Sequence, residues 1–174
     1  MADREITLEI VTPEGVRLAE TVQAFTAPSV DGQFGALPGH RPVLAALATG
    51  IVSYRTPSGL HEVAVGPGFV ELQEDHAVLL TDRFIDKADV DPVRARLELK
   101  EADEELERLH QDAGSPQYAQ ALGRELWAAV QLELYGDPPP PTVHTVTEFA
   151  AAPKADYVSE GLPAATTSET PTEK

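Results

Sequence analysis

The residues best placed to do chemistry lie in a glycine-rich stretch that ends in a histidine. Residues 31–40 read Asp-Gly-Gln-Phe-Gly-Ala-Leu-Pro-Gly-His. A catalytic His40 needs a nucleophile or a base beside it, and the chain has no nucleophile-elbow serine motif, zinc-protease motif or phosphate-binding loop. Because loops on rigid scaffolds carry binding more often than catalysis, we interpret residues 31–40 as a surface loop that contacts a partner.

A metal site is the second chemistry to consider. His61 falls in a predicted strand, whereas His76 and its neighbour Asp75 fall in a predicted hairpin turn. No two of these residues have the close spacing typical of paired metal ligands. The chain contains no cysteine, which excludes disulfides and thiolate ligands. We therefore expect solvated side chains here, with no bound metal.

Acidic residues concentrate on the first of two predicted helices. They lie opposite its apolar stripe, so a solvated face is the simplest interpretation of the cluster. Arg94 and Arg96 stand in the first turns of this helix and are expected to pair with Glu98 and Glu101, the other interpretation being an anion clamp. The members of the cluster are Glu101, Asp103, Glu104, Glu105 and Glu107.

The first part of the chain, residues 1–86, has the composition of a β domain. It holds eight of the twelve glycines, which separate short runs rich in β-branched residues. Strands are predicted at 8–11 and 22–27, followed by two hairpins. Turn signals that recur about every 8–12 residues predict an antiparallel β-sandwich. The hairpins join 51–55 to 60–65 and 69–73 to 77–81.

Residues 87–135 change to a helical period. Asp91-Pro92 and Ser115-Pro116 each combine an N-cap residue with a proline at the first helical position, and Gly114 separates them. The pattern predicts an antiparallel two-helix hairpin, so the fold class is α+β. The predicted contact residues are Ala95, Leu99, Ala102, Leu106 and Leu109 on the first helix, and Ala119, Leu122, Leu126, Ala129 and Val130 on the second.

The last segment, residues 136–174, is a predicted disordered, Pro-rich tail. It holds seven of the fifteen prolines, with Ala, Thr, Ser and Glu as most of the rest. The net charge of −16 argues against nucleic acid or anionic lipid as partner. The chain has no run of 18 apolar residues, so we expect no direct membrane insertion.

These residues favour an interaction or regulatory protein over an enzyme. One alternative is a free-standing sandwich enzyme or metal-binding barrel, which needs His40, His61 or His76 to converge on a polar pocket. Another is a stand-alone β-sandwich protein-binding module whose tail recruits the partner. Composition and periodicity alone do not name that partner.

A series of motifs runs along residues 5–135 in a recognisable order. A strand precedes a G-x-x-G turn, the motif Leu-Pro-Gly-His-x-Pro and a glycine that opens the next strand. Gly66 and 68–70 match a later Gly-rich segment, and Asp91-x-x-Arg94-Ala95 matches a helix start. This order resembles the epsilon subunit of F-type rotary ATP synthases. The matching residues of the first part are Gly32, Gly35, Pro38, Gly39, His40, Pro42, Leu44 and Gly50.

The resemblance implies a non-catalytic subunit of the central stalk, which couples rotation of the c-subunit ring to ATP synthesis. It implies that the sandwich contacts the gamma subunit and the c ring. The helical hairpin of such subunits extends toward the alpha/beta catalytic head and inhibits ATP hydrolysis. The implied location is peripheral, at the cytoplasmic face of the bacterial inner membrane.

The resemblance also assigns a ring-facing loop and a nucleotide motif. Asp31, Gln33, Gly39 and His40 are expected to face the c ring. The family's ATP-binding pattern falls on three residues of the first helix. Because Glu101 stands where an arginine is common, ATP is expected only as a weak regulatory ligand, and no other cofactor is implied. The three residues are Asp91, Arg94 and Ala95, with Val90 in the preceding position.

Inhibition by the second helix is expected to be weak. Related subunits bring basic residues of this helix to the catalytic head, and this chain offers Arg124 against two glutamates. Apolar contacts by Leu126 and Trp127 are expected to supply the remaining binding free energy between this helix and the catalytic head. The prolines at 138–141 should stop the second helix from lengthening.

Overall fold

Ten strands form the first part of the chain in the computed structural model, which describes residues 5–139. Buried and exposed side chains alternate along β1, as expected for a strand with one face toward the core. The strands are β1 (Ile6–Thr12), β2 (Gly15–Val22), β3 (Ala24–Ser29), β4 (Gly32–Ala36), β5 (Val43–Leu47), β6 (Gly50–Thr56), β7 (Gly59–Val65), β8 (Gly68–Gln73), β9 (His76–Thr81) and β10 (Phe84–Asp86).

The strands pair in the order β10-β7-β6-β3-β5-β8-β9-β1-β2, with β4 on the free side of β3. β3 and β5 share one residue pair, Ser29 with Leu47, so the sheet bends there into two layers around one apolar core. Phe25, Leu8 and Leu79 are among the largest side chains of that core. The predicted fold class, a β-sandwich followed by a helical hairpin, is confirmed. All strand pairs are antiparallel except β1 with β9.

Both hairpins predicted in the second half of the sandwich are confirmed, but the first half differs from the prediction. The strand expected over 22–27 breaks at Gln23, whose N–H donates to the carbonyl of Arg55 as the chain turns from β2 into β3. β2 carries mostly exposed side chains, so it lacks the apolar alternation that reveals a half-buried strand. β5 was also missed.

The predicted helix caps are confirmed. Helix α1 (Pro92–Leu109) begins after Asp91, whose Oδ1 accepts from the N–H groups of Val93 and Arg94 at 3.0 and 3.1 Å. A 3-10 turn follows α1, so the helix ends before the predicted Gly114. Helix α2 (Pro116–Tyr135) begins after Ser115, whose Oγ accepts from the N–H of Tyr118 at 3.2 Å.

The contact face predicted for α2 is wrong. The helix has two buried faces on nearly opposite sides, since it packs on α1 and on the sandwich. One face consists of Ala121, Glu125, Ala128 and Leu132, and the other of Trp127, Val130 and Leu134. At 100° per residue the predicted stripe falls between these faces, because one stripe was assumed for a helix with two partners. Its members Leu122, Leu126 and Ala129 are half-buried and Ala119 is exposed, whereas its fifth member, Val130, is buried on the face toward the sandwich.

The chain leaves α2 through Gly136, which adopts φ +103° and donates its N–H to the carbonyls of Leu132 and Glu133. Within residues 5–139 no helix is long and apolar enough to cross a membrane. The tail predicted over 136–174 lies outside the described residues from position 140 onward.

Candidate functional site

The stretch 31–40 is a hairpin arm and a turn, which corrects the prediction of one surface loop. Asp31 lies in the β3–β4 turn and Gln33 lies in edge strand β4, both exposed. The turn is held by Ser29, whose Oγ donates to the carbonyl of Gly32 at 2.6 Å. Extended β4 therefore separates Asp31 from Leu37, where the next turn begins, by about 20 Å at about 3.3 Å per residue.

The second turn holds Gly39 and His40. The N–H of Gly39 donates to the Asp75 carboxylate in the β8–β9 turn, and the N–H of His40 donates to the carbonyl of Leu37 at 3.0 Å. The His40 ring is exposed, with Nδ1 2.7 Å from the carbonyl oxygen of Arg41. The structure thus brings Gly39 and His40 together, fixes their backbone through Asp75, and leaves the histidine side chain available to a partner.

A row of apolar side chains crosses the outer face of the second layer of the sheet. Direct cross-strand pairing aligns five residues of β5, β8, β9, β1 and β2, and three of them are largely exposed. The neighbouring Leu44 is exposed as well. Contiguous exposed apolar surface of this kind marks interaction sites. We call these residues the apolar row: Ala46, Phe69, Leu80, Val11 and Val16.

Sequence reasoning missed the apolar row for a physical reason. Its members are far apart in the chain, and strand order and register alone bring them onto one face. Leu79 and Leu80 are the same residue type, so the sequence does not distinguish them. They point to opposite sides of the sheet, and only Leu79 is buried.

A cavity of about 600 Å³ lies between the sandwich and the hairpin. The three ATP-motif residues line it, as do Trp127 and Gln131 of α2. Arginines reach it from three elements: Arg17 on β2, Arg83 between β9 and β10, and Arg94 on α1. Its acidic lining residues are Glu14, Asp82, Asp89, Asp91 and Glu98.

Two of the three cavity arginines have a carboxylate partner next to them in the chain or three residues away. Arg17 approaches Glu14 at 3.3 Å, and Arg83 approaches Asp82 at 3.5 Å. Within residues 5–139 the Arg94 guanidinium has no carboxylate within 4.0 Å, so the predicted local pairing with Glu98 is wrong. Arg94 is therefore the cation of the cavity best able to meet an anion, at the start of α1 where the helix dipole is positive.

The other ATP-motif residues have structural roles in this conformation. The Asp91 carboxylate caps α1, and Ala95 is buried where α1 meets the rest of the fold. Arg96 pairs with Asp137 just beyond α2, which corrects its expected pairing with Glu101. Of the three motif residues, Arg94 is the one with a cationic side chain, and it lines the cavity without an ion-pair partner among the described residues.

The residues proposed for the inhibitory face of α2 are separated in the closed hairpin. Arg124 Nη2 lies 2.6 Å from Glu105 Oε2 on α1, so Glu105 is not part of a purely solvated acidic face. Trp127 packs toward the sandwich, with the Arg83 guanidinium 5.8 Å from its ring centre. Leu126 is half-buried. The closed hairpin thus occupies two of these three side chains with intramolecular contacts.

The histidines considered for metal binding lie in separate places. The His61 ring stacks on Tyr54 with centroids 5.3 Å apart, and its Nε2 is 3.0 Å from Ser58 Oγ. Burial raises the pKa of Tyr54, and the carboxylates of Glu20 and Asp86 raise it further. His76 lies 3.7 Å from Glu9. Within residues 5–139 no group of three or more His, Asp or Glu could hold a metal ion.

Comparison with known proteins identifies the chain's relatives. Residues 5–87 match the family model "ATP synthase, Delta/Epsilon chain, beta-sandwich domain". The ATP synthase epsilon chain of Desulfatibacillum aliphaticivorans is 39% identical over 103 residues, which cover 59% of this chain and 73% of that protein. The epsilon chain of Nitratidesulfovibrio vulgaris is 34% identical over 124 residues, 71% of this chain and 92% of that protein.

The chain belongs to the ATP synthase epsilon chain family. A chain of the Euglena gracilis mitochondrial ATP synthase structure aligns with a TM-score of 0.56, covering 76% of this chain and 78% of that chain. Identity there is 21%, so that likeness shows the fold alone. The predicted family is confirmed.

As an epsilon chain, this protein is a non-catalytic subunit of the ATP synthase central stalk. The candidate functional surfaces of an epsilon chain are those that contact other subunits and those that keep the helical hairpin closed. The apolar row, the two turns beside β4, the cavity between the sandwich and the hairpin and the α1–α2 contact are the candidates.

Proposed function

We propose that this epsilon chain transmits rotation between the c ring and the gamma subunit, with its sandwich bound to gamma through the apolar row. The observation that carries the proposal is the alignment of exposed Phe69, Leu80 and Val16 on one sheet face. A rotating stalk subunit needs a permanent interface, and such interfaces are more apolar than transient ones. The hairpin packs elsewhere, so this face stays open to a partner.

The contact with the c ring is assigned to the turns at the two ends of β4. Asp31 and Gln33 supply polar groups at one end, and Gly39 and His40 lie at the other. Two separate contacts resist tilting better than one loop, because they hold the sandwich at points about 20 Å apart. We propose that this chain is a peripheral subunit, at the cytoplasmic face of the bacterial inner membrane, as the family resemblance implies.

The apolar row gives a direct test of the gamma contact. We expect Phe69→Glu to reduce co-elution of the full chain with its gamma-containing catalytic head at least tenfold, because a carboxylate would be desolvated in the interface. Size-exclusion chromatography of the mixed proteins measures it. Leu60→Glu is the matched control, since Leu60 is 58% exposed and Phe69 59%, but it lies on β7. Equal loss in both variants would contradict the proposal.

Recruitment through the tail is the competing function. A chain ending at Pro139 keeps the sandwich and both helices. We expect it to co-elute with the catalytic head as the full chain does. Loss of binding in this truncated chain, with Phe69→Glu still bound, would favour the stand-alone module whose tail recruits the partner.

We further propose that the hairpin regulates ATP hydrolysis by extending toward the alpha/beta catalytic head. Arg124 and Trp127 must then leave Glu105 and the sandwich before they can reach the head. Weak inhibition is expected because α2 carries one arginine against Glu125 and Glu133. Strong inhibition that disappears in Arg124→Ala alone would contradict that expectation.

Weak ATP binding is a second proposed property, and it depends on Arg94, because the cavity lining has five carboxylates against three arginines. Isothermal titration of the full chain with millimolar Mg-ATP is expected to give a small heat that Arg94→Ala abolishes. Arg94 is the cavity arginine whose guanidinium has no carboxylate of the described residues within 4.0 Å, so its loss removes most of the attraction for phosphate. Arg108→Ala, on the same helix but outside the cavity, should leave the heat unchanged. Absence of heat in the unaltered chain would remove ATP as a ligand.

A further inference from the structure

Glu125 is the one charged side chain among residues 5–139 that is fully buried, with 0% exposure. It lies on the face of α2 that packs against α1, between Ala121 and Ala128. Its neighbours in sequence behave differently, since Arg124 and Leu126 keep part of their surface in solvent. The proposed stalk contacts and the proposed ATP site do not use Glu125.

The helix contact around Glu125 is poor in large apolar side chains. On α1 the fully buried residues are Ala95, Ala102 and Leu106, and on α2 the same face offers Leu132 beside the two alanines. Alanines bury little apolar area, so this contact gains less from the hydrophobic effect than a leucine-rich one. A carboxylate placed in its middle loses its hydration when the helices close.

We infer that Glu125 keeps the closed hairpin only marginally stable, so that the helices can separate. Glu125 has interactions inside the closed hairpin. The cost of removing a carboxylate from water can nevertheless exceed the attraction that its partners return. Separation of α1 from α2 returns the carboxylate to water and recovers its hydration. The inference rests on the proposed extension of the hairpin. It assigns to Glu125 the low free-energy cost of separating the two helices.

Three substitutions in the full chain test the role of Glu125. Glu125→Leu replaces the carboxylate by an apolar group, and Glu125→Gln keeps its shape without the charge. Glu133→Leu, at an exposed position of the same helix, is the control for adding leucine to α2. Amide hydrogen exchange of α2 measures how often the helix opens. Fluorescence of Trp127, the single tryptophan of the chain, reports whether α2 stays on the sandwich.

We expect exchange of the α2 amides to slow about tenfold in Glu125→Leu and by a smaller factor in Glu125→Gln, with Glu133→Leu unchanged. Faster exchange in Glu125→Gln would overturn the inference, because the charged interactions of Glu125 would then hold the hairpin closed. Unchanged exchange in both variants would overturn it as well. The isolated chain is used, so this result is independent of whether Phe69→Glu weakens binding to the catalytic head.

Discussion

Leu106→Ala will open the hairpin. Leu106 is fully buried between α1 and α2, and it is the one leucine of α1 with no exposed surface. Its truncation should cost about 2–5 kcal/mol of closed-state stability, since few side chains around it can collapse into the space left. We expect faster proteolysis around Gly114 and faster exchange of the α2 amides, while the sandwich strands keep their protection.

The control for Leu106 is Leu97→Ala on the same helix. Leu97 is 58% exposed, so its truncation should change stability by less than about 0.5 kcal/mol. In the assembled enzyme, Leu106→Ala should shift the hairpin toward the extended form and strengthen inhibition of hydrolysis. Unchanged protease sensitivity around Gly114 would show that Leu106 does not hold the closed hairpin.

Gly68→Ala will destabilise the sandwich where β8 meets β9. A Cβ at Gly68 would overlap the carbonyl oxygen of Leu80 and lie 2.9 Å from Thr81 Cα, both backbone atoms of the paired strand. The strands must separate to admit this Cβ, which we expect to lower the free energy of unfolding by about 1–3 kcal/mol. Thermal unfolding followed by circular dichroism measures the loss.

Gly66→Ala is the matched comparison two residues earlier. The first atom that its Cβ would meet is a carboxylate oxygen of Asp82, at the end of a side chain that can rotate away. We expect a smaller loss of stability there than at Gly68. Equal losses at both positions would mean that general glycine-to-alanine effects, rather than the close approach of β8 and β9, determine the result.

The apolar row is defined by positions in the sheet and not by nearness in the sequence. The row exists because β1 pairs with β9, which is distant in sequence and parallel to it. Local alternation indicates which residues of a strand share a face, but strand order decides which faces become continuous. Similarly, the cavity arginines come from β2, the β9–β10 connection and α1.

The sequence by itself determined the elements whose signals are local. Asp91-Pro92 and Ser115-Pro116 start the helices because a capping side chain and a proline act within one turn. The hairpins β6–β7 and β8–β9 were predicted from short turns between runs of alternating apolar and polar residues. The order of motifs from Gly32 to Ala95 was enough to identify the family.

Only the tertiary structure decided which surfaces these elements present. The hydrophobic pattern of α2 fits one stripe, yet the helix packs on α1 and the sandwich at once, so Glu125 becomes buried and Leu126 does not. Arg124 meets Glu105, and Arg96 meets Asp137, across the hairpin instead of along one helix. Local propensity fixes where a helix starts, whereas burial depends on every neighbour that reaches it, and those neighbours are distant in sequence.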